Sequence, residues 1–327
     1  MLIDNLQYKD SAVKYAEKSG VPLGSNYEIK FRVPADVKKI TNYFKQDALA
    51  EILPNERVSF CMRSIVPTRS GVEVWHNKEF MSAHYGNLMT CGSIWLCPVC
   101  ASKISERRKI ELVKGFENWR GGLVMITLTL SHKSNESLSE ILKKLDRSYK
   151  LLTHGRAWQE IKKNFKIRGS VSNMEITYGS NGWHPHKHIV FLVDNEFVYK
   201  AMGEELSKKW IGHLKSSGAS GLSGIALKVD PVLNMRSKVA EYIAEYNKEP
   251  KKIWSIEAEL TKSYIKSSQN FWSIVDDFIN SGSLKSLGLI LEYASAIKGR
   301  KSVVFSRGLR KLLHIVEKTD LEIATEK

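Results

Sequence analysis

Two periods of apolar and polar alternation run along this chain, and they predict its elements. Residues 121–130 form an apolar, β-branched run of strand length, with LVMITLTL at 123–130 as its centre. Residues 104–119 repeat at helical spacing with basic side chains interleaved, and Gly121-Gly122 closes that helix. A longer helical pattern covers 138–161 and is interrupted near Gly155. Residues 169–178 and 186–193 read as paired strands around a Gly-Ser-Asn-Gly turn at 179–182. A helix over 197–215, a strand over 225–232 and a helix from Met235 to about Asn247 follow, with Pro250 as the stop. Upstream, the first 60 residues carry one helical pattern, over 12–18, and 61–100 reads as loop.

The order β, α, β-hairpin, α, β, α predicts an α+β fold: one antiparallel sheet covered by helices. Four regions are expected: 1–60 with no readable role, a cysteine segment and basic helix over 61–120, the sheet core over 121–250, and a helical, aromatic-rich region over 251–327.

Composition narrows the class. At 327 residues with 43% hydrophobic and 26% charged side chains, the chain is globular rather than disordered. No apolar run reaches the roughly 18 residues of a membrane helix. The opening MLIDNLQYKD is charged where a secretory signal would be apolar, so a cytoplasmic protein without a membrane partner is expected. The net charge is +15, and residues 101–170 hold 16 basic and 7 acidic side chains, which is +9 of that total. Such a concentrated positive field suits a polyanion, nucleic acid above all.

All four cysteines fall between 61 and 100. Cys97-Pro-Val-Cys100, with Cys91 six residues before it, has the spacing of a knuckle that wraps thiolates around tetrahedral zinc. Cys91, Cys97 and Cys100 are three ligands of the expected structural Zn²⁺. Cys61 is the fourth, with His84 and His76 as substitutes.

In the strand His184-Pro185-His186-Lys187-His188, His186 and His188 share one face, about 7 Å apart at Cα. Glu175, on the partner strand, can add a carboxylate. Two imidazoles and one carboxylate leave coordination positions open, as a catalytic site requires, and admit Mg²⁺ or Mn²⁺ as well as zinc. His184 is expected at the turn, as a substrate contact. In the 235–247 helix, Tyr242 and Tyr246 stand four apart and so share a face, with Lys238 and Lys248 nearby. Tyrosines at that spacing pack cores, but beside a phosphate-binding metal a phenol can be a nucleophile.

Together these segments resemble the rolling-circle replication initiators of plasmids and phages, the HUH endonucleases. MITLTL resembles that family's first motif, GWHPHKHIVFLV its histidine motif and AEYIAEYNKE its tyrosine helix. CGSIWLCPVCASK and EYASAIKGRKSVVFSRGLRKLL resemble the cysteine segment and C-terminal stretch of the plasmid branch. The resemblance spans roughly 90–315. It implies a nickase that acts on origin DNA extruded as a single strand, with Tyr246 as first nucleophile, held to the 5′ phosphate, and Tyr242 as the second in a two-tyrosine cycle. His186, His188 and Glu175 would hold the catalytic ion. Where the family often has lysine before the second tyrosine, this chain has Glu245, which opens a role as base for Glu245 or Glu241. Without a GxxxxGK[ST] segment, the chain is expected to depend on a host helicase, with a host polymerase extending the 3′ end. The alternatives are a transposase of the same chemistry and a zinc-containing single-strand-binding protein without catalysis.

Overall fold

The computed structural model describes residues 35–77, 82–221, 226–232 and 269–326. The predicted helices over 12–18 and 235–247, the latter with Tyr242 and Tyr246, lie outside the described residues.

One antiparallel sheet organises the chain. Strands β3 (Gly122–Leu128), β4 (Ile167–Gly179), β5 (Gly182–Val193) and β6 (Leu227–Pro231) form its body in the order β6-β3-β5-β4. Two short C-terminal strands, β7 (Gln269–Asn270) and β8 (Val303–Phe305), both pair with β4. A separate hairpin, β1 (Glu73–Asn77) and β2 (Ser82–Gly86), precedes the sheet. The helices are α1 (Ala35–Ile52), α2 (Pro98–Asn118), α3 (Leu138–Leu152), α4 (Gly155–Asn164), α5 (Tyr199–Ser216), α6 (Phe271–Ser281), α7 (Leu284–Ala296), α8 (Leu309–Leu312) and α9 (Asp320–Thr325). The α+β expectation is met.

Period-two alternation gives the sheet two faces, and each has its own core. Val124, Ile126 and Leu128 of β3, with Ile189, Phe191 and Val193 of β5, join the larger cluster with Leu142, Leu206, Ile274 and Ile290 from the helices. Leu123 and Met125, with Val190 and Leu192, face the other way and pack with Leu112 and Phe116 of α2 and with Leu309 and Leu313. Residues 123–130 therefore lack an alternating pattern because β3 is covered on both faces.

The hairpin is longer than its sequence pattern. Gly179 pairs with Gly182, so the loop is only Ser180-Asn181, and Gly182 takes a φ of +86° that a side chain would disfavour. Consequently β5 starts four residues before the predicted His186, and His184 lies in the strand opposite Thr177 rather than at the turn. Pro185 is tolerated there because β3 ends at Leu128, opposite Lys187, which leaves this stretch of β5 paired on the β4 side alone among the described residues.

Two other boundaries differ. Helix α2 begins at Pro98, inside the cysteine knuckle. Cys97 is its N-cap, with Sγ accepting from Cys100 N, and proline occupies the first turn where no N–H is needed. The segment read as loop contains β1 and β2. The interruption at Gly155 is real: α3 ends and α4 begins around a glycine with φ +81°. Helices α6 and α7 supply the helical C-terminal region, and Glu292 of α7 ties it to the sheet. Its carboxylate accepts from Leu138 N at 2.7 Å and from Trp183 Nε1 at 2.9 Å. No described helix is long and apolar enough to cross a membrane.

Candidate metal centres

Four sulfurs converge from three separate stretches of chain. Cys61 follows a short 3-10 turn, Cys91 follows the β1–β2 hairpin, and Cys97 and Cys100 open α2. Backbone bonds Met62 N to Met89 O, Met89 N to Ser64 O and Val66 N to Asn87 O zip the two legs of the hairpin together, and so bring Cys61 beside Cys91. All four side chains are buried. The separations are 3.6 Å for Cys61–Cys100, 3.6 Å for Cys91–Cys100 and 3.8 Å for Cys97–Cys61. A tetrahedral ion with metal–sulfur bonds of about 2.3 Å requires sulfurs about 3.8 Å apart. The cage has those dimensions.

Donors already point at the sulfurs. Gln46 Nε2 lies 3.2 Å from Cys97 Sγ, and the backbone N–H groups of Cys91, Ser93 and Cys100 donate to Cys61, Cys91 and Cys97. In the ion-free protein the hydrogen bonds among the four sulfurs push Cys61 toward thiolate and hold Cys91 and Cys97 as thiols. Thiolate is the form that ligates a metal. Cys61 is the fourth sulfur of this cluster, whereas His76 and His84 are exposed on the hairpin.

The second centre is on the sheet. Glu175 sits opposite His186 in the β4–β5 register, so its side chain shares the face of His186 and His188. Nitrogens of both histidines and an oxygen of Glu175 lie within 4.8 Å of one another, and these three could hold an ion. Lys187, between the histidines, projects to the opposite face, 4.6 Å from the centre of the Tyr149 ring. The site thus occupies the smaller-core face, one residue pair beyond Val190 and Met125, where that core gives way to polar side chains.

His188 is 4% exposed and held from both nitrogens. Its Nδ1 is 3.0 Å from Thr127 Oγ1 on β3, and its Nε2 is 3.0 Å from Glu175 Oε2. Thr127 is a partner that sequence reading misses; its only trace is its place in the β3 alternation, directly across from His188. A hydroxyl at Nδ1 orients the ring so that Nε2 faces the open site. His186 is less constrained, 6.2 Å from His188 between ring centres. Burial lowers its pKa to about 4, outweighing the Glu175 carboxylate and helped by the His188, His184 and His132 imidazoles. It is therefore neutral and ready to ligate at pH 7.

That shift has a stability consequence. The unfolded chain protonates His186 near its ordinary value of 6.5, whereas the native state resists until about 4. Between those values the unfolded state binds more protons, so the native state loses stability as pH falls through this window. Urea midpoints measured from pH 7 to pH 4 without added divalent ion should decline, and His186→Phe should flatten the decline. An unaltered pH profile in that variant would discard this assignment.

His132 was also unforeseen. It stands beyond the end of β3, and its Nε2 is 2.8 Å from His184 Nδ1. The structure thus brings together Glu175, His186 and His188 as expected, and adds a second imidazole pair beside them.

Known proteins with similar sequences bear on this arrangement. The Rep_1 family model, described as a replication protein, matches residues 86–326. A protein named "Protein rep" from Streptomyces lividans is 26% identical over 330 residues, covering 78% of this chain and 71% of its own. A "Neomycin resistance protein" from Streptomyces cyanogenus is 31% identical over 134 residues, 32% of this chain and 31% of that one. No solved structure matches the chain.

Proposed function

This chain belongs to the Rep_1 family of replication proteins, and from that premise we propose that it starts rolling-circle replication by nicking a plasmid or phage origin. The supporting observation is the open Glu175, His186, His188 constellation on one sheet face. Glu175, His186 and His188 would hold Mg²⁺ or Mn²⁺, and the four cysteines Zn²⁺. Open coordination beside two imidazoles and a carboxylate fits a catalytic ion, whereas four buried sulfurs at tetrahedral spacing fit a closed structural one. When bound, the catalytic ion supplies charge neutralisation at a scissile phosphate.

In this reading the Tyr246 phenol oxygen bonds to phosphorus while the bond from phosphorus to the 3′ oxygen breaks. The phenolic proton leaves through solvent, the 3′ oxygen leaves as a hydroxyl, and the 5′ phosphate remains on tyrosine. Tyr242 performs the second transfer, which rejoins the strand. Origin DNA, presented as a single strand, is the substrate, and a host helicase and polymerase are the partners. The net charge of +15 suits a phosphate backbone.

A single-stranded origin oligonucleotide incubated with protein and Mn²⁺ should give a band shift that survives denaturing electrophoresis. Tyr246→Phe should abolish this adduct and leave DNA affinity within about twofold, since one hydroxyl contributes little to a charge-dominated interface. If wild-type protein yields only salt-reversible complexes, the chain binds DNA without cutting it. Should Tyr246→Phe still form normal adduct, the nucleophile moves to Tyr242.

A further inference from the structure

On the side of the sheet away from Glu175, His186 and His188, α3 presents a row of cations to solvent. The helix packs inward through Leu142, Leu145 and Leu152, which belong to the larger core. Lys143, Arg147 and Lys150 stand four and then three residues apart, so they line up along one side of the helix, and all three are exposed. At 1.5 Å per residue the row from Lys143 to Lys150 is about 10 Å long. Arg156, Lys163 and Lys166 are the next exposed cations along the chain.

The carboxylates of this region are committed elsewhere. Glu140 closes the capping box of α3 with Ser137, Asp146 pairs with Arg300, and Glu136 pairs with Lys144. Lys143, Arg147 and Lys150 form no ion pair with a described carboxylate. Their charge is therefore left for a partner outside the chain.

The chemistry of that partner follows from the spacing and from the surrounding side chains. Duplex DNA carries one negative charge per about 1.7 Å of axis, so about 10 Å of it offers about six phosphates to the three cations. Single strands are held largely by stacking their bases on exposed aromatic rings. Helices α3 and α4 expose none: the Tyr149 ring lies against Lys187, and Trp158 packs on Phe191 with ring centres 5.9 Å apart. The sheet separates this row from the metal-binding triad, so the DNA segment along α3 is not the one at the triad.

We propose that the outer face of α3 is a docking surface for the sugar–phosphate backbone of duplex DNA flanking the origin segment that the triad handles. The proposal rests on the reading that this chain works at an origin, and not on the chemistry of nicking.

The test uses the full chain and a fluorescein-labelled duplex of about 30 base pairs, of arbitrary sequence because backbone contacts carry no sequence information. Affinity is followed by anisotropy from about 50 to 200 mM salt. Removing the three charges together, with Lys143→Gln, Arg147→Gln and Lys150→Gln, should make the slope of log affinity against log salt shallower by about 2.7, or about 0.9 for each phosphate contact. Binding at the low-salt end should weaken by about 10-fold or more. Glutamine forms helix about as well as lysine and arginine, so the fold is retained. One strand of the same sequence should lose less than about threefold in affinity, because its bases find no stacking platform on α3. A charge-keeping triple, Lys143→Arg, Arg147→Lys and Lys150→Arg, should hold the wild-type slope. A scattered triple at exposed positions on other parts of the surface, Lys39→Gln, Arg69→Gln and Lys114→Gln, removes the same net charge and should change the slope by less than about 1. The proposal is overturned by a wild-type slope in the first triple, by an equal loss in the scattered triple, or by a single strand that loses as much as the duplex. If wild type forms no covalent adduct while these duplex results hold, the nicking reading fails and the docking surface stands.

Discussion

His188→Ala is expected to eliminate divalent-ion-dependent cleavage, with a loss of about 1,000-fold or more in single-turnover rate. The size follows from what one ring does here. His188 supplies a nitrogen to the proposed ion, and the same ring bridges Thr127 on β3 to Glu175 on β4. Removing it takes away one ligand and unclamps another, since Glu175 loses the 3.0 Å contact that aims its carboxylate. Losing only an orienting partner at a metal site costs about 10 to 100-fold, and losing a ligand as well multiplies that. His186→Ala should follow the same course while leaving the 3.0 Å contact of His188 with Glu175 in place. The measurement is cleavage of a single-stranded origin oligonucleotide across a Mn²⁺ titration. A His188→Ala protein with wild-type rate and wild-type metal response would remove the triad from the mechanism.

The second large effect concerns stability. Cys97→Ala should leave the protein without the zinc proposed for its four sulfurs and unfolded, or nearly so, at 37 °C. An ion held by four thiolates contributes about 10 kcal/mol or more in apparent terms, comparable to the whole 5–15 kcal/mol of a typical domain. The cage ties together the α1 side chain Gln46, both roots of the β1–β2 hairpin, and the N-terminus of α2. Helix α2 in turn covers one face of the sheet with Leu112 and Phe116. Cys97 is also the N-cap of α2, so its loss removes a cap and a ligand together. Metal content by plasma mass spectrometry should fall from one zinc per chain to none, with a collapse of the cooperative melt. Cys61→Ala provides a comparison that leaves the α2 cap intact; it should release the ion equally. Retention of zinc and of the wild-type melting temperature in both variants would overturn the four-sulfur assignment.

In the proposed reading the two centres divide the labour by ligand number. The four cysteines form a buried set that can complete a tetrahedral shell, whereas Glu175, His186 and His188, of which only His188 is buried, supply three ligands and leave positions for substrate or water.

Much of this was legible beforehand. Period-two spacing alone puts His186 and His188 on one face, and a Cys-Pro-x-Cys knuckle is local enough to read directly. The β-hairpin, the break at Gly155 and the antiparallel sheet all follow from turn chemistry and periodicity, which act over a few residues. Other assignments depended on register. Whether Glu175 faces the histidines turns on a two-residue loop, because a slip of one residue would send its side chain to the larger-core face. The choice of Cys61 over His76 or His84 was decided by the backbone pairing between 62–66 and 87–89, a contact between segments more than twenty residues apart. Thr127 shows only its place in the β3 strand pattern, and His132 shows no sequence signal. Each is an ordinary polar residue until the sheet brings it to a particular nitrogen of a particular imidazole. The chain's own sequence thus determined which chemical groups are present and which of them share a strand or helix face. Only tertiary structure decided which groups from different strands meet, since that depends on strand register and on long-range packing that no local pattern encodes.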